Sequence, residues 1–319
     1  MPENQRFSAE TTFDMGGMRL DQALARLFPQ FSRSRLKQWL EQGFVQVDGI
    51  VVTKPREKVQ GGEVVDVMAT LATEVEDEAE AIPLDILHED EAIIVINKPP
   101  GLVVHPAAGN RSGTLLNALL HHAPEVEHVP RAGIVHRLDK ETSGVLVVAR
   151  TLEAQQSLVK QLQSRTMKRE YRALVCGRLI SGGQVEAPIG RHPRHRTKMA
   201  VVDSGKEALT DYRVLERFPD HSFLAVHLST GRTHQIRVHM SHIGHPLVGD
   251  PVYGGRLKIP KGCPETLAQA LRDFKRQALH AHTLSLTHPI SDEAQTFTAP
   301  LADDLQGLLQ CFQSQEYEA

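Results

Sequence analysis

Cysteine is scarce. The 319 residues hold three, at Cys176, Cys263 and Cys311. They lie far apart, none has CxxC or metal-ligand spacing, and an odd number argues against a disulfide framework. A reducing compartment fits. Long apolar runs are also missing: 92–96 and 145–149 fall far short of the roughly 20 residues that span a bilayer. The opening MPENQRFSAE has no apolar signal core. The expectation is a cytoplasmic protein with no membrane partner. Positive charge is not in excess. Thirty-six Lys and Arg against 39 Asp and Glu leave a net charge of −3, which excludes nucleic-acid binding by bulk charge; any basic surface must be local. No GxGxxG follows a strand, and neither a P-loop nor GxSxG occurs. A Rossmann-bound redox cofactor, P-loop nucleotide hydrolysis and a nucleophile elbow are therefore poorly supported.

The rest of the composition is globular: 40% hydrophobic and 24% charged residues exclude a disordered or fibrous chain. At about 150 residues per domain, the length predicts two domains. Leu20, Ala23, Leu24, Leu27 and Phe28 fall on one helical face, which Pro29 ends. Ser32 is placed to cap a second helix holding Leu36, Trp39 and Leu40, with Gly43 at its end. Val45 and Val47, a turn at Asp48-Gly49, and Val51-Val52 spell a hairpin, and Val65 and Val67 alternate in a further strand. Arg33, Arg35 and Lys37 sit at the start of the second helix, where backbone N–H groups already favour phosphate. By itself this segment is equally well read as a solvated helix face. Glu74, Glu76, Asp77, Glu78 and Glu80 form an acidic run that reads as a solvated linker. The expected division is a module over 1–81, a linker to about 88, and a larger domain over 88–319.

In that larger domain the sequence predicts strands over 93–96, 145–149, 168–176, 222–228 and 278–286. It also predicts a short helix around Leu115–Leu120 and one of three or four turns from Leu152 to Leu162. Many strands and few helices imply α+β, a mainly antiparallel sheet with flanking helices, rather than βαβ winding. His239, His242 and His245 are spaced three apart, but there is no HExxH and Gly244 should end their helix. Hydrogen-bonded histidines are the better reading than a metal site.

The sharpest feature is His136-Arg-Leu-Asp-Lys-Glu-Thr-Ser-Gly144, a polar stretch between apolar segments. Such a stretch is expensive unless it has work to do. From the residues alone, a held carboxylate at Asp139 and a plain Asx turn are equally good readings. HRLDK shares letters with the kinase catalytic loop, but an extra Leu precedes the Asp, and the following Asn, a Gly-rich loop and DFG are missing.

Around this string the chain resembles the RNA pseudouridine synthases, in the branch that modifies ribosomal RNA. The resemblance runs through Asn97-Lys-Pro-Pro-Gly-Leu-Val-Val-His-Pro106, Ala132-Gly-Ile-Val-His-Arg-Leu-Asp-Lys-Glu-Thr-Ser-Gly144, Arg169-Glu-Tyr-Arg-Ala173, Gly231-Arg-Thr-His-Gln-Ile-Arg-Val-His239, His245-Pro-Leu-Val-Gly-Asp-Pro-Val-Tyr-Gly254 and Leu279-His-Ala-His-Thr-Leu-Ser-Leu-Thr-His-Pro289, in family order over most of 88–300. Glu141 stands where relatives often have Asp. The first module resembles an S4 RNA-binding domain from Arg19-Leu-Asp-Gln-Ala-Leu24.

The resemblance implies isomerisation of uridine to pseudouridine without cofactor or metal. It implies Asp139 as the essential carboxylate, and Arg237 as its partner, a cation that fixes its orientation and favours its ionised form. Arg137 would fill the space left by a flipped base. Tyr171 would stack on that base, with Leu284 packed beneath it. Arg33, Arg35 and Lys37 of the first module, with Arg169, Arg172, Arg191, Arg194, Arg196 and Lys198, would supply local charge for RNA phosphates. The implied partner is 23S ribosomal RNA, or the large ribosomal subunit precursor. The His245–Gly254 string favours a type that acts on uridines of the helix 69 hairpin. A monomer is expected. Two alternatives stay open: a paralogue modifying another rRNA uridine, and a non-catalytic RNA-binding assembly factor.

Overall fold

A computed structural model of the chain describes residues 4–314, apart from 30, 32, 71–77, 108, 196 and 261. The described chain divides into two compact units, Met1–Glu76 and Asp77–Ala319. The expected cap Ser32, and Glu74, Glu76 and Asp77 of the expected linker, lie outside the described residues.

The first unit contains β1 (Asn4–Glu10), α1 (Leu20–Leu27), α2 (Arg33–Glu41), β2 (Val45–Val47), β3 (Ile50–Val51) and β4 (Val64–Thr70). The two helices bury the predicted faces: Leu20, Ala23, Leu24, Phe28, Leu36, Trp39 and Leu40 pack with Val45, Val65 and Val67 in one core. The β2–β3 turn is Asp48-Gly49, both at positive φ (48° and 79°). That backbone matches the twist of a two-residue hairpin. The sheet order is β1-β4-β2-β3. β1 is an addition to what the sequence predicts. Its NQRFSAE is too polar to read as a strand, and it forms by pairing along β4, with Arg6 fastened to Asp66 at 2.8 Å.

The second unit runs β5 (Ile86–Glu89), β6 (Ile93–Lys98), α3 (Leu115–His122), β7 (Ser143–Ala149), α4 (Leu152–Gln163), β8 (Lys168–Cys176), β9 (Gly183–Glu186), β10 (Ile189–Arg191), β11 (Met199–Val201), β12 (Leu209–Arg217), β13 (His221–Leu228), α5 (Gln235–His242), α6 (Glu265–Asp273), β14 (Leu279–Thr287), β15 (Ala294–Thr298) and α7 (Asp303–Gln313). The main sheet has the order β5-β6-β7-β14-β8-β13-β12-β9, with β15 on β14. β7 pairs with β14 in parallel and its other ladders are antiparallel. This is the mixed, mainly antiparallel α+β architecture that the strand-rich pattern predicts.

Alternation along β8 separates two cores. Tyr171, Ala173 and Val175 join the larger core with β6, β7 and α4. Leu174 faces a second core made by Phe218, Phe223 and the apolar sides of α6 and α7. Glu78 and Glu80, expected in a solvated linker, are instead pinned to the second unit. The Glu78 carbonyl accepts from Asn117 Nδ2 at 2.8 Å, and Glu80 Oε1 accepts from Gly113 N at 2.8 Å. Among the described residues no helix is long and apolar enough to cross a membrane.

Candidate active site

The loop carrying Asp139 is held at both ends by glycines that no other residue could replace. Gly133 (φ 75°) lies against β7, where an added Cβ would come within 1.8 Å of the Ala149 carbonyl oxygen. Gly144 (φ 110°) lies against β14, where a Cβ would come within 2.0 Å of Ala281 O. Both positions need left-handed φ and a close backbone approach, which only glycine supplies.

Between these anchors the loop is fastened from several directions. Leu138 is buried, and Thr142 N donates to Asp139 O at 3.0 Å, closing the turn. The Lys140 carbonyl accepts from Lys98 Nζ at 3.0 Å and from Gly101 N at 2.9 Å. Lys98 is fully buried and also donates to Pro99 O and Leu102 O. Burial pushes this lysine down to about 7, while Glu141 pulls it back up. Three carbonyl acceptors use all three protons of an ammonium, so the charged form is the one that fits. On the far side Arg276 donates to Glu141 O at 3.1 Å and is itself gripped by both oxygens of Asp304 on α7. Gln277 Nε2 donates to the Thr142 hydroxyl, and Ser143 shares a 2.9 Å hydrogen bond with buried His280. The NKPPG and LHAH strings thus serve the Asp139 loop as clamps.

Asp139 opens into a cavity of about 570 Å³ lined by His136, Arg137, Arg169, Tyr171, His234, Arg237 and Leu279, among others. Its Oδ2 accepts from Arg237 Nη1 at 2.9 Å. Arg237 is no exposed helix charge: it is 4% exposed in the first turn of α5. Its other nitrogens, Nε and Nη2, grip Asp250 at 2.7 and 3.0 Å. The Asp250 side chain is fully buried and also accepts from the amides of Val252 and Tyr253. Burial pushes Asp250 up, but the guanidinium outweighs it and holds the carboxyl below its usual range. Burial likewise lowers Arg237, and the two carboxylates more than restore it. The guanidinium also lies 5.1 Å from the Tyr253 ring centre, in cation–π range.

Tyr171 projects from β8 into the same cavity and is 6% exposed; burial raises its phenol, with Arg169 opposing. Arg169 lines the cavity, and its buried Nε has no hydrogen-bond partner among the described residues. His136 is pushed down to about 3 by burial and by Arg169. It is therefore neutral, and its Nε2 accepts from Val147 N. Arg137 is exposed at the cavity wall. Leu284 is not brought to the cavity: it is buried in the larger core, and Leu279 at the other end of β14 lines the cavity instead. Leu284 lies five residues further along β14 than Leu279, beyond the stretch of the strand that lines the cavity.

Arg191 is exposed at the end of β10. Arg196 lies outside the described residues. In the first unit, Arg33 and Lys37 are exposed on α2, Lys37 lies 3.5 Å from Glu41, and Arg35 stacks over Trp39 at 5.5 Å. Among the described residues no group of three or more His, Cys, Asp or Glu is placed to hold a metal. His239 is buried and bonded to Thr210 and to the Ala187 carbonyl. Asp250, Tyr253, Lys98 and His234 all sit inside motifs visible in the sequence. The signal for Asp250 is that it is the one acid in its string, and Asx turns such as Asp250-Pro251 favour a held carboxylate.

A profile of the RNA pseudouridylate synthase family matches residues 92–242, and an S4 domain profile matches residues 18–65. The chain is 54% identical to "Ribosomal large subunit pseudouridine synthase D" of Pasteurella multocida, over 96% of this chain and 95% of that protein. It is 56% identical to the protein of the same name from Pseudomonas aeruginosa, over 95% and 94%. Among solved structures, "Human RNA Pseudouridylate Synthase Domain Containing 4" is similar with a TM-score of 0.58 and 28% identity, covering 72% of this chain and 93% of that one. The loop, the buried Arg–Asp clamp and the cavity lie in the region that the first profile spans or just beyond it, and the chain belongs to the RNA pseudouridylate synthase family, with an S4 domain in its first unit.

Proposed function

We propose that this protein converts specific uridines to pseudouridine in large-subunit (23S) ribosomal RNA, in the helix 69 hairpin, and that Asp139 is the reacting carboxylate. The observation that carries the reading is the Asp139 side chain at a cavity wall, held by a guanidinium that a second, buried carboxylate immobilises. Both relatives described above carry large-subunit pseudouridine synthase in their names.

In the reaction the C1′–N1 bond breaks, the uracil turns, and C1′ joins C5. C5 loses a proton and N1 gains one, so atoms and electrons balance within the nucleotide. A uridine in folded RNA cannot reach this cavity while stacked, so it is flipped out. Arg137 at the cavity wall is placed to occupy the vacated space. Tyr171 offers a ring face to the base, and Asp139 an anion to C1′, either as nucleophile or as stabiliser of positive charge. Arg169, with a buried donor to spare, faces the phosphates of the flipped nucleotide. Arg191 extends the basic charge, the sequence adds Arg196, and Arg33, Arg35 and Lys37 add phosphate contacts from the first unit. The partner is the RNA itself or the large ribosomal subunit precursor, met in the cytoplasm by a monomer.

The test is pseudouridine mapping of 23S rRNA from cells with the gene, without it, and with Asp139→Asn. Loss of the same helix 69 pseudouridines in the last two is expected. Intact helix 69 with loss elsewhere would reassign the target, and full modification by Asp139→Asn would remove Asp139 from the chemistry.

A further inference from the structure

Asp139 has two carboxylate oxygens and Arg237 takes one of them. Among the described residues, no hydrogen bond to Oδ1 is formed. His234 Nε2 lies 3.7 Å from it. His234 lines the same cavity and is about one-fifth exposed.

The backbone there is strained. His234 is the residue before α5 and has φ 56° and ψ 24°, left-handed for a side chain with a Cβ. Such a conformation persists only where the surroundings over-determine it. Gln235 does so. Its Oε1 accepts from Arg232 N at 3.0 Å and Thr230 Oγ1 at 2.8 Å, and its Nε2 donates to Leu209 O and Thr210 Oγ1, both at 2.9 Å. The turn is locked from both ends, and the imidazole it carries is aimed into the cavity.

The tautomer of that imidazole follows from its other neighbour. His234 Nδ1 is 2.9 Å from the Tyr253 hydroxyl. The same hydroxyl oxygen accepts from Met199 N at 2.9 Å. Among the described residues, the acceptor left for the hydroxyl hydrogen is His234 Nδ1. The Nδ1 lone pair is then occupied, and in a neutral ring the single N–H sits on Nε2, facing Asp139.

We propose that His234 is a positioning residue for Asp139, presenting an Nε2–H donor to Oδ1 while Tyr253 fixes the tautomer from behind. This rests on the reading of Asp139 as the reacting carboxylate. The 3.7 Å separation is about half an ångström beyond a hydrogen bond. It closes when a ribose packs over the carboxylate and expels water, as catalytic hydrogen bonds do on substrate binding. Arg237 and His234 then hold the two oxygens in one plane, and the carboxylate meets C1′ in one orientation. The charged and titratable groups that face His234 are Asp139, Arg237, Asp250, Arg137 and Tyr253. Burial holds the imidazole below its usual range; Asp139 pulls it up, and Arg237 and Arg137 push it down. The neutral form that the tautomer argument requires is therefore the resting form.

Single-turnover release of tritium from a 23S rRNA transcript carrying 5-tritiated uridine measures the chemistry, and filter binding of the same transcript measures affinity. His234→Leu removes the donor and keeps the volume. Its rate at saturating RNA should fall about 10- to 100-fold, the worth of one hydrogen bond to a charged group, with RNA affinity nearly unchanged. His234→Gln restores an N–H donor and should recover most of that loss. Tyr253→Phe keeps the ring beneath Arg237 but frees the tautomer, and should fall between the two. Wild-type rate in His234→Leu, equal rates in the Leu and Gln variants, or a loss confined to affinity each overturns the assignment. Should the Leu variant fail to fold, Gln and Tyr253→Phe decide: a full rate in Tyr253→Phe sinks it. Asp139→Asn is run alongside. Turnover by that variant overturns the underlying reading, whereas an inactive Asp139→Asn beside a fully active His234→Leu overturns only the role of His234.

Discussion

Arg237 Nη1 and Asp139 Oδ2 meet at 2.9 Å although the residues are 98 apart in the chain. The contact joins the first turn of α5 to the loop before β7, and it is rigid because Asp250 holds the opposite edge of the guanidinium. Arginine is suited to this task because its planar fork can serve two carboxylates at once.

Two substitutions separate the clamp from the charge. Asp250→Asn keeps the shape and removes one negative charge, so Arg237 is less firmly placed; the rate at saturating RNA should fall by about tenfold or more while the fold survives. Arg237→Met leaves Asp250 buried without its cation. It should abolish turnover and cost about 3–5 kcal/mol of stability. Single-turnover kinetics and urea unfolding check both, and a fully active Asp250→Asn would show that Asp139 does not depend on the clamp.

Lys98 supports the other side of the loop. Lys98→Met fills similar volume but takes a donor from three carbonyls, stranding Pro99 O and Leu102 O and leaving Lys140 O only the Gly101 amide. Stability should fall by roughly 3 kcal/mol and the rate should fall with it. Thermal unfolding with single-turnover rates gives the answer. A stable variant with an unimpaired rate would mean that the Gly101 amide alone holds Lys140.

An acid-sensitive tie lies away from the site. Asp90 accepts from the amides of Ala92 and Ile93 and lies 2.7 Å from His88 Nε2 and 3.1 Å from His288 Nε2. Burial raises Asp90, but His88 and the two amides outweigh it and bring it to about 2. A folded value below the unfolded 3.8 means stability that is present above about pH 4 and lost as pH falls toward about 2. Asp90→Asn should lower stability at neutral pH, with the gap to wild type narrowing through that window. Urea unfolding at about pH 6, 4 and 3 measures the gap; a gap of constant size would show that Asp90 does not titrate there.

The basic start of α2 is expected to grip RNA. Replacing Arg33, Arg35 and Lys37 by Gln should flatten the slope of log K against log salt by about two to three and leave the saturated rate nearly intact. RNA binding at several salt concentrations reads this out. A slope equal to wild type would place this helix face in water.

Local patterns carried much of the architecture. The faces of α1 and α2 were legible because burial repeats with helical period, and β8 was legible as a strand over the same residues. The Asp48-Gly49 hairpin followed from turn chemistry alone. β1 was not legible, since an edge strand with polar residues is made by its neighbour rather than by its own composition. Leu284 was assigned from resemblance alone, and in the structure it is buried in the larger core while Leu279, five residues earlier on β14, lines the cavity.

The sequence by itself determined the family strings, the presence of Asp139 in a polar loop between buried segments, and the α+β class. Those features depend on residue types and short spacings. Tertiary structure alone decided that Arg237 is buried, that Asp250 and not solvent neutralises it, that Lys98 and Arg276 brace the loop, and that His234 stands behind Asp139 with Tyr253. Each of these joins segments far apart in the chain. A local pattern cannot encode such a contact, because whether a charged side chain is exposed or clamped depends on which distant backbone the folded sheet brings beside it.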